Sequence, residues 1–274
     1  MRTTGGKRNL NTASMMNVER GLLSERFDVV VDFTTLRGRH NDDPYSGFSV
    51  CDYTGDSQEH YQGCRAALAT ELGIAQADII QPRQVHGDKV VMLDDNFFAL
   101  DDAGRSKLLD GADGIITACR GVAIGVNTAD CVPILIYSYQ GTRLVAAIHA
   151  GWRGTLAGIV TKAVKLMRQA GAEKSAVYIG ISICHRCFEV GNEVSDAFAA
   201  AGFDGEIITR NPGTGKAHID LQVANRRLLE KCGIAPDMIF IDGRCSRHDQ
   251  SGNYFSARRM GVHSGRTFTG IMMR

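Results

Sequence analysis

Neither sign of charge is in excess along this 274-residue chain: 31 lysines and arginines stand against 30 aspartates and glutamates, a formal net charge of +1. That balance leaves no electrostatic footprint for nucleic acid or an anionic membrane, so a small molecule is the default partner. No apolar run approaches the length of a membrane span, and the first residues lack the apolar centre of a secretory signal. There is also no internal repeat, no heptad pattern and no low-complexity linker, which points to one compact domain. Cysteine is present eight times (51, 64, 119, 131, 184, 187, 232, 245), but dispersed through a chain long enough to bury a core without staples. A reducing cytoplasm fits that usage, and the expected assembly is a monomer or weak homodimer.

Residues 1–20 are polar, acid-free before Glu19 and without sustained periodicity. They read as a disordered N-terminal tail, with Met15 and Met16 as alternative starts and a presequence as a minor alternative, ahead of a single catalytic domain over 21–274. Apolar runs at 27–33, 79–80, 89–93, 114–117, 121–126, 134–139, 144–149, 177–183, 238–241 and 267–272 predict strands. The four between 114 and 149 follow too closely for covering helices, so the sheets are mixed or antiparallel and buried on both faces. Helices are predicted from the Asp56–Ser57 cap to Leu72, from Gly154 to Gly171, over 191–201 and over 221–232, with 94–110 as an acidic surface loop. The fold class is α+β, its sheets sandwiched between helical layers.

Chemistry concentrates where the run 145–148 ends in His149, Ala150, Gly151, Trp152, Arg153 and Gly154. A strand, a tight turn and a helix start would place His149 and Arg153 on one pocket, with glycines allowing close approach and the helix N-terminus favouring an anion. A satisfied structural histidine and an ordinary turn remain the plainer alternative. His86, in a turn closed by Gly87, and Cys131, beside Asp130, also sit at strand edges next to small residues. Two imidazoles and a thiolate make a tetrahedral zinc site with one open position, the pattern of catalytic zinc. Asp130 is a candidate proton carrier or orienting residue, or simply a turn residue. Cys184 and Cys187 have knuckle spacing, but no second Cys-x-x-Cys exists, so two thiols packed in a turn is the expectation. Arg65, Arg153 and Arg258 are candidates for binding phosphate or carboxylate, with surface pairing as the alternative for Arg65 and Arg258. Gln84, beside His86, is counted with them on the substrate side.

The segments QVHG (84–87), DGADGIIT (110–117), NTADCVPILIY (127–137), AAIHAGWRG (146–154), CFEVG (187–191) and YFSARR (254–259) resemble, in order, the laccase-domain family, also named polyphenol-oxidase-like or peptidoglycan-editing-factor-like. The resemblance implies a four-layer α/β/β/α fold and one zinc held by His86, Cys131 and His149. It also implies phosphorolysis of adenosine, inosine and methylthioadenosine with an adenosine deaminase side activity, while some members are assigned hydrolysis of a cell-wall precursor. The chain departs from the family at Phe48–Ser49–Val50, where many members carry Ser-Leu-Asn-Leu, and at His185–Arg186–Cys187, where they carry Pro-Cys-Cys. The family name claims copper oxidation, yet the eight histidines include no His-x-His pair, and one His₂Cys site would hold a single copper.

Three readings follow. The favoured one is a zinc purine nucleoside phosphorylase using nucleoside and phosphate, with catalytic Cys131, Asp130 and His149, and Glu189 as an alternative proton donor. The second is an amide hydrolase with Cys131 as nucleophile activated by His149. The third is a zinc-stabilised binding module without turnover.

Overall fold

A computed structural model describes residues 17–38 and 40–274. Residues 1–16 of the expected disordered tail lie outside them, but its last three do not: Val18–Arg20 is a strand paired antiparallel with Val30–Thr35, and Val18 is buried. The polar window around Val18 hides this because the partner strand lies beyond the helix Leu22–Arg26.

The chain is an α+β domain built on mixed sheets. One sheet has five strands in the order Val18–Arg20, Val30–Thr35, Thr267–Met273, Ala123–Thr128 and Ile79–Ile80, the last pair parallel and the rest antiparallel. A second has six, in the order Ile239–Ile241, Ala172–Ile179, Val132–Gly141, Val145–Ala150, Gly114–Thr117 and Val90–Leu93, parallel at both edges and antiparallel at the centre. The expected mixed pairing and two-sided burial are therefore observed; every residue of Gly114–Thr117, Ala123–Thr128 and Val145–Ala150 is buried.

Side-chain alternation along the strands explains what each face meets. In Val145–Ala150, Ala146, Ile148 and Ala150 pack with Val160, Ala163 and Met167 of helix Ile159–Gln169 and with Ala224 and Leu229 of helix Leu221–Lys231. Val145 and Ala147 point the other way, into a cluster with Ile124, Val126 and Ile271 of the five-stranded sheet. The far face of that sheet, with Phe33 and Phe268, is covered by Leu68 and Ala69 of helix Gln58–Leu72, whose ends are set by Ser57 and by Gly73 at φ 71°. His149 has the parity of Val145 and Ala147, so it projects from the inter-sheet face at the end of its strand.

Three local expectations change. The helix expected from Gly154 is two pieces, Trp152–Leu156 and Ile159–Gln169, separated by Gly158 at φ 73°. The acidic loop over 94–110 holds two short helices, Asp95–Ala99 and Asp102–Leu109, because Asp94 and Asp101 act as caps, accepting from the N–H groups of Phe97 (3.1 Å) and Gly104 (2.8 Å). A small sheet of Glu189–Val190, Ala217–Ile219 and Ile208–Arg210 was not anticipated, its strands being too short to show a period.

The short helix Trp152–Leu156 is tied to Leu221–Lys231 by buried Asn225, whose Nδ2 donates to Thr155 Oγ1 at 2.9 Å and to Leu221 O at 2.8 Å. Asn225→Ala is expected to leave the buried Thr155 hydroxyl without this donor and to lower unfolding free energy by about 1–3 kcal/mol. Urea denaturation with unchanged slope and a lowered midpoint is the result expected; an unmoved midpoint would mean that the link carries no stability.

Candidate functional site

His86 comes from the loop between Ile79–Ile80 and Val90–Leu93, Cys131 directly precedes strand Val132–Gly141, and His149 lies on Val145–Ala150. Separated by up to 63 positions in sequence, they converge so that their donor atoms lie within 4.8 Å of one another. The two imidazoles meet edge to face with centroids 4.8 Å apart. His149 is buried, Cys131 half-buried and His86 exposed, so the group opens to solvent on the His86 side. Gly151 keeps the space clear: a Cβ there would lie 3.2 Å from Cys131 Sγ and 3.3 Å from His86 Cδ2.

One residue organises the three, and sequence reading assigned it no role. Asp113 is fully buried, directly before strand Gly114–Thr117. Gly114 pairs with Ile148, which places Asp113 beside His149, and Oδ1 lies 2.7 Å from His149 Nδ1 while Asp113 O accepts the His149 N–H at 2.7 Å. The same carboxylate accepts three consecutive N–H groups, from Val85 (3.2 Å), His86 (3.0 Å) and Gly87 (2.7 Å). Consecutive N–H groups converging in this way form an anion-binding nest, and His86 sits in it at φ 62°, left-handed for a residue with a side chain. An acid flanked by Ala112 and Gly114 at the start of a largely apolar strand was the available signal; locally it reads as a turn.

Electrostatics follow from this geometry. Burial disfavours the Asp113 carboxylate, but His149 and the N–H groups of Gly87 and Val85 outweigh it and hold the group below the usual carboxylate range. Burial would also raise the Cys131 thiol; the charge and hydrogen bond of His149, with help from His86, bring it down to about 6. His149 moves oppositely: burial would lower it, yet Cys131 and Asp113 raise it to about 9. The two opposed shifts favour the thiolate–imidazolium form of the pair.

The other candidates are distributed around this group. Asp130 adopts φ 96°, and three contacts hold it there: Ile183 N–H donates to its carbonyl (2.8 Å), Ser246 Oγ to Oδ1 (2.7 Å) and Arg258 N–H to Oδ2 (2.7 Å). Arg258 also donates from its guanidinium to Glu189 O at 3.1 and 3.2 Å. Arg153 stacks on Trp152 with its guanidinium carbon 4.2 Å from the ring centroid. Gln84 is buried with its amide committed to the backbone of Asn127, donating and accepting at 2.8 Å. Arg65 donates to Gln76 O at 2.9 Å and lines a cavity of about 540 Å³ with Tyr53, Tyr61, Arg83 and Arg105, which none of the three candidate ligands lines. The helix after Gly151 is only five residues long, so any anion nearby must rely on side-chain charge more than on a helix dipole.

A second group of four side chains has its donor atoms within 4.8 Å: Cys184, Cys187, Cys245 and His248. Cys184 and Cys187 lie at a short turn, as expected, and beside them comes a Cys-x-x-His, 245–248, rather than a second Cys-x-x-Cys.

Residues 30–274 match the family model described as multi-copper polyphenol oxidoreductase laccase. The chain belongs to this family. It is 43% identical over 261 residues to a protein named adenosine deaminase RL5 from an unknown prokaryotic organism, covering 94% of this chain and 99% of that one. It is 35% identical to a purine nucleoside phosphorylase of Bacteroides thetaiotaomicron, with 88% and 90% covered. Both names describe nucleoside-processing enzymes. Among solved structures, YlmD from Geobacillus stearothermophilus superposes with a TM-score of 0.80 at 27% identity, covering 90% of this chain and 93% of that one. The hypothetical protein YfiH of Bacillus licheniformis gives 0.82 at 23%, covering 94% and 97%, a likeness of fold.

Asp113→Asn is expected to weaken metal retention about 10–100-fold, because the amide no longer fixes the His149 tautomer or balances its charge. Chelator competition reads the loss; unchanged affinity would remove Asp113 from its positioning role. In metal-stripped protein, alkylation of Cys131 by iodoacetamide, followed by peptide mapping, should already be near its thiolate plateau at pH 7 and fall only as pH drops through about 6. A rate that climbs instead through the ordinary thiol range would contradict the thiolate–imidazolium pair. The lowered Cys131 loses its charge in acid, and the raised His149 loses its charge above about 9.

Proposed function

We propose that this chain is a zinc-dependent purine nucleoside phosphorylase of the cytoplasm, monomeric or weakly dimeric, acting on adenosine, inosine and methylthioadenosine with adenosine deamination as a side activity. The observation that carries the reading is the convergence of His86, Cys131 and His149 with Asp113 behind His149. The names of the relatives supply the reaction classes, and the eight free cysteines and the lack of a helix long and apolar enough to cross a membrane, among the described residues, support the compartment.

The donor set suits zinc: two imidazoles and a thiolate leave one tetrahedral position open, and Asp113 occupies His149 Nδ1 so that Nε2 is the free donor. Bound there, zinc would supply Lewis acidity and lower the pKa of a water at the open position. The chain's own residues do the rest. Arg153 faces solvent, with no hydrogen bond or ion pair to its guanidinium among the described residues, and supplies positive charge to phosphate. In phosphorolysis a phosphate oxygen bonds to ribose C1′, the bond from C1′ to the purine nitrogen breaks, and the departing base takes a proton. Asp130, held beside Cys131 by Ser246 and Arg258, is assigned that proton transfer; in deamination a water oxygen bonds to purine C6, the C6–N bond breaks, and Asp130 relays the water's proton to the departing ammonia. Glu189 is the alternative carrier; it is paired with Lys216 at 2.7 Å, which holds its carboxyl below the usual range, and it does not adjoin Cys131 in sequence as Asp130 does. Gln84, whose amide is tied to the Asn127 backbone, and Arg65, which donates to Gln76 O along another cavity, do not contribute to the proposed phosphate site.

A second reading rests on a specific observation: Asp113, His149 and Cys131 also form the carboxylate–imidazole–thiolate sequence of a cysteine hydrolase. Incubation of zinc-loaded protein with adenosine, with and without phosphate, separates the readings through chromatography of adenine, inosine and ribose-1-phosphate. Phosphate-dependent adenine and ribose-1-phosphate, with some inosine, is the result expected. Absence of all three together with cleavage of a muramyl-precursor amide would install the hydrolase; no reaction of either kind would leave a zinc-stabilised binding module. Arg153→Lys is expected to raise the KM for phosphate about 10-fold through loss of bidentate contact, with kcat at saturating phosphate little changed. An unaltered phosphate dependence would remove Arg153 from the site.

A further inference from the structure

The side chains of Cys184, Cys187, Cys245 and His248 form a compact, four-donor group that the proposed chemistry does not use. Cys184 caps the short 3₁₀ turn His185–Cys187, and the x-x spacing brings both sulphurs to one side. Cys245 and His248 share a second turn, closed by Asp249 N–H donating to Cys245 O at 3.0 Å, and Cys245 is bridged to Ser182. The turns thus lie side by side. His248 Nδ1 is 3.2 Å from Cys187 Sγ and 3.7 Å from Cys184 Sγ, and all four donors lie within 4.8 Å. Bonds of about 2.3 Å to sulphur and about 2.0 Å to nitrogen at tetrahedral angles place neighbouring donors roughly 3.5–3.8 Å apart, and the two His248 distances fall on either side of the sulphur–nitrogen value.

Backbone N–H groups converge on one of the three sulphurs. Cys184 N–H donates to Cys245 Sγ at 3.2 Å, and the N–H groups of Arg247 and His248 are directed at the same sulphur. Backbone N–H donation of this kind stabilises negative sulphur and orients it toward a cation. Ile183 and Phe188 pack against the cysteines and shield the group, while His248 is exposed at its rim and gives an entry path.

We propose that these four residues bind a second zinc ion in a closed, four-coordinate Cys₃His site whose role is structural. Four protein donors leave no position for substrate, unlike the three-donor group at Cys131. The ion would clamp the segment 182–188 to the turn 245–249. Ile183 and Ser246, each adjacent to a ligand in sequence, are two of the three residues that hold Asp130 at φ 96°. The clamp therefore fixes the turn that presents Asp130 and Cys131. The metal site stands independently of the nucleoside reading; only its consequence for Asp130 chemistry rests on it.

Metal analysis of the full chain, purified without chelator, tests the site. Two zinc ions per chain are expected in the wild type, one in Cys131→Ala, one in Cys184→Ser and none in the variant carrying both changes. His248→Ala, at the exposed rim, provides a milder single change that should also shed zinc from this site. Loss of one equivalent in Cys184→Ser but none in Cys131→Ala would uphold this site and sink the first. Full metal content in both Cys184→Ser and His248→Ala would overturn the proposal, as would iron in place of zinc or a disulfide among Cys184, Cys187 and Cys245 in peptide maps of freshly purified protein. Cobalt loaded into Cys131→Ala adds a spectroscopic readout: intense visible bands and thiolate-to-cobalt charge transfer are expected from tetrahedral S₃N ligation, and their absence counts against it.

Discussion

The buried carboxylate of Asp113 is the constraint on which the candidate site depends. A carboxylate removed from water is costly unless its lone pairs are met, and here four donors meet them: His149 on one side and the N–H groups of residues 85–87 on the other. Those contacts join segments from the loop before Val90–Leu93 and from the centre of the six-stranded sheet. A single anion therefore stabilises the left-handed turn at His86, orients the His149 ring and favours the charged form of that imidazole, which in turn lowers the Cys131 thiol. Removing it would disturb position and electrostatics together.

Backbone strain is placed where the chemistry is. Among the described residues, His86 and Asp130 are the two non-glycine positions with positive φ; His86 belongs to the candidate ligand group and Asp130 directly precedes another of its members, Cys131. Such conformations persist only where surrounding contacts over-determine them. At His86 the contacts come from Asp113; at Asp130 they come from Ile183, Ser246 and Arg258. The proximity of the Cys184 group to two of these residues links an apparently peripheral cluster of thiols to the geometry of the site.

The family's description as a multi-copper oxidoreductase sits poorly with the donor chemistry. A His₂Cys group and a Cys₃His group are the two sets of potential ligands among the described residues, and neither is the assembly of paired histidines that several coppers need. Copper remains the second choice at the His₂Cys group, where a single ion would have no neighbouring copper with which to share the electrons of oxygen reduction. Nucleoside chemistry asks less of the same ligands: one Lewis acid, a positive group for phosphate and a placed proton carrier.

Much was legible in the sequence because it was local. The closely spaced apolar runs over 114–149 determined mixed sheets, Ser57 and Gly73 marked the ends of a helix, and His86, Cys131 and His149 stood out as donors beside small residues at strand edges. The family motifs named the same three. What stayed hidden were pairings made across the chain: Asp113 with His149 across 36 positions, and Cys184 with Cys245 across 61. Arg65, by contrast, had the right charge and lies along another cavity. Hydrophobic period and turn chemistry report on a few neighbouring residues, so the longer periodic elements and the donors beside small residues could be read from the chain, whereas short elements such as Asp95–Ala99 and Glu189–Val190 could not. Tertiary structure alone decided which of them share a face, because strand register and the meeting of distant turns are set by packing of the whole core.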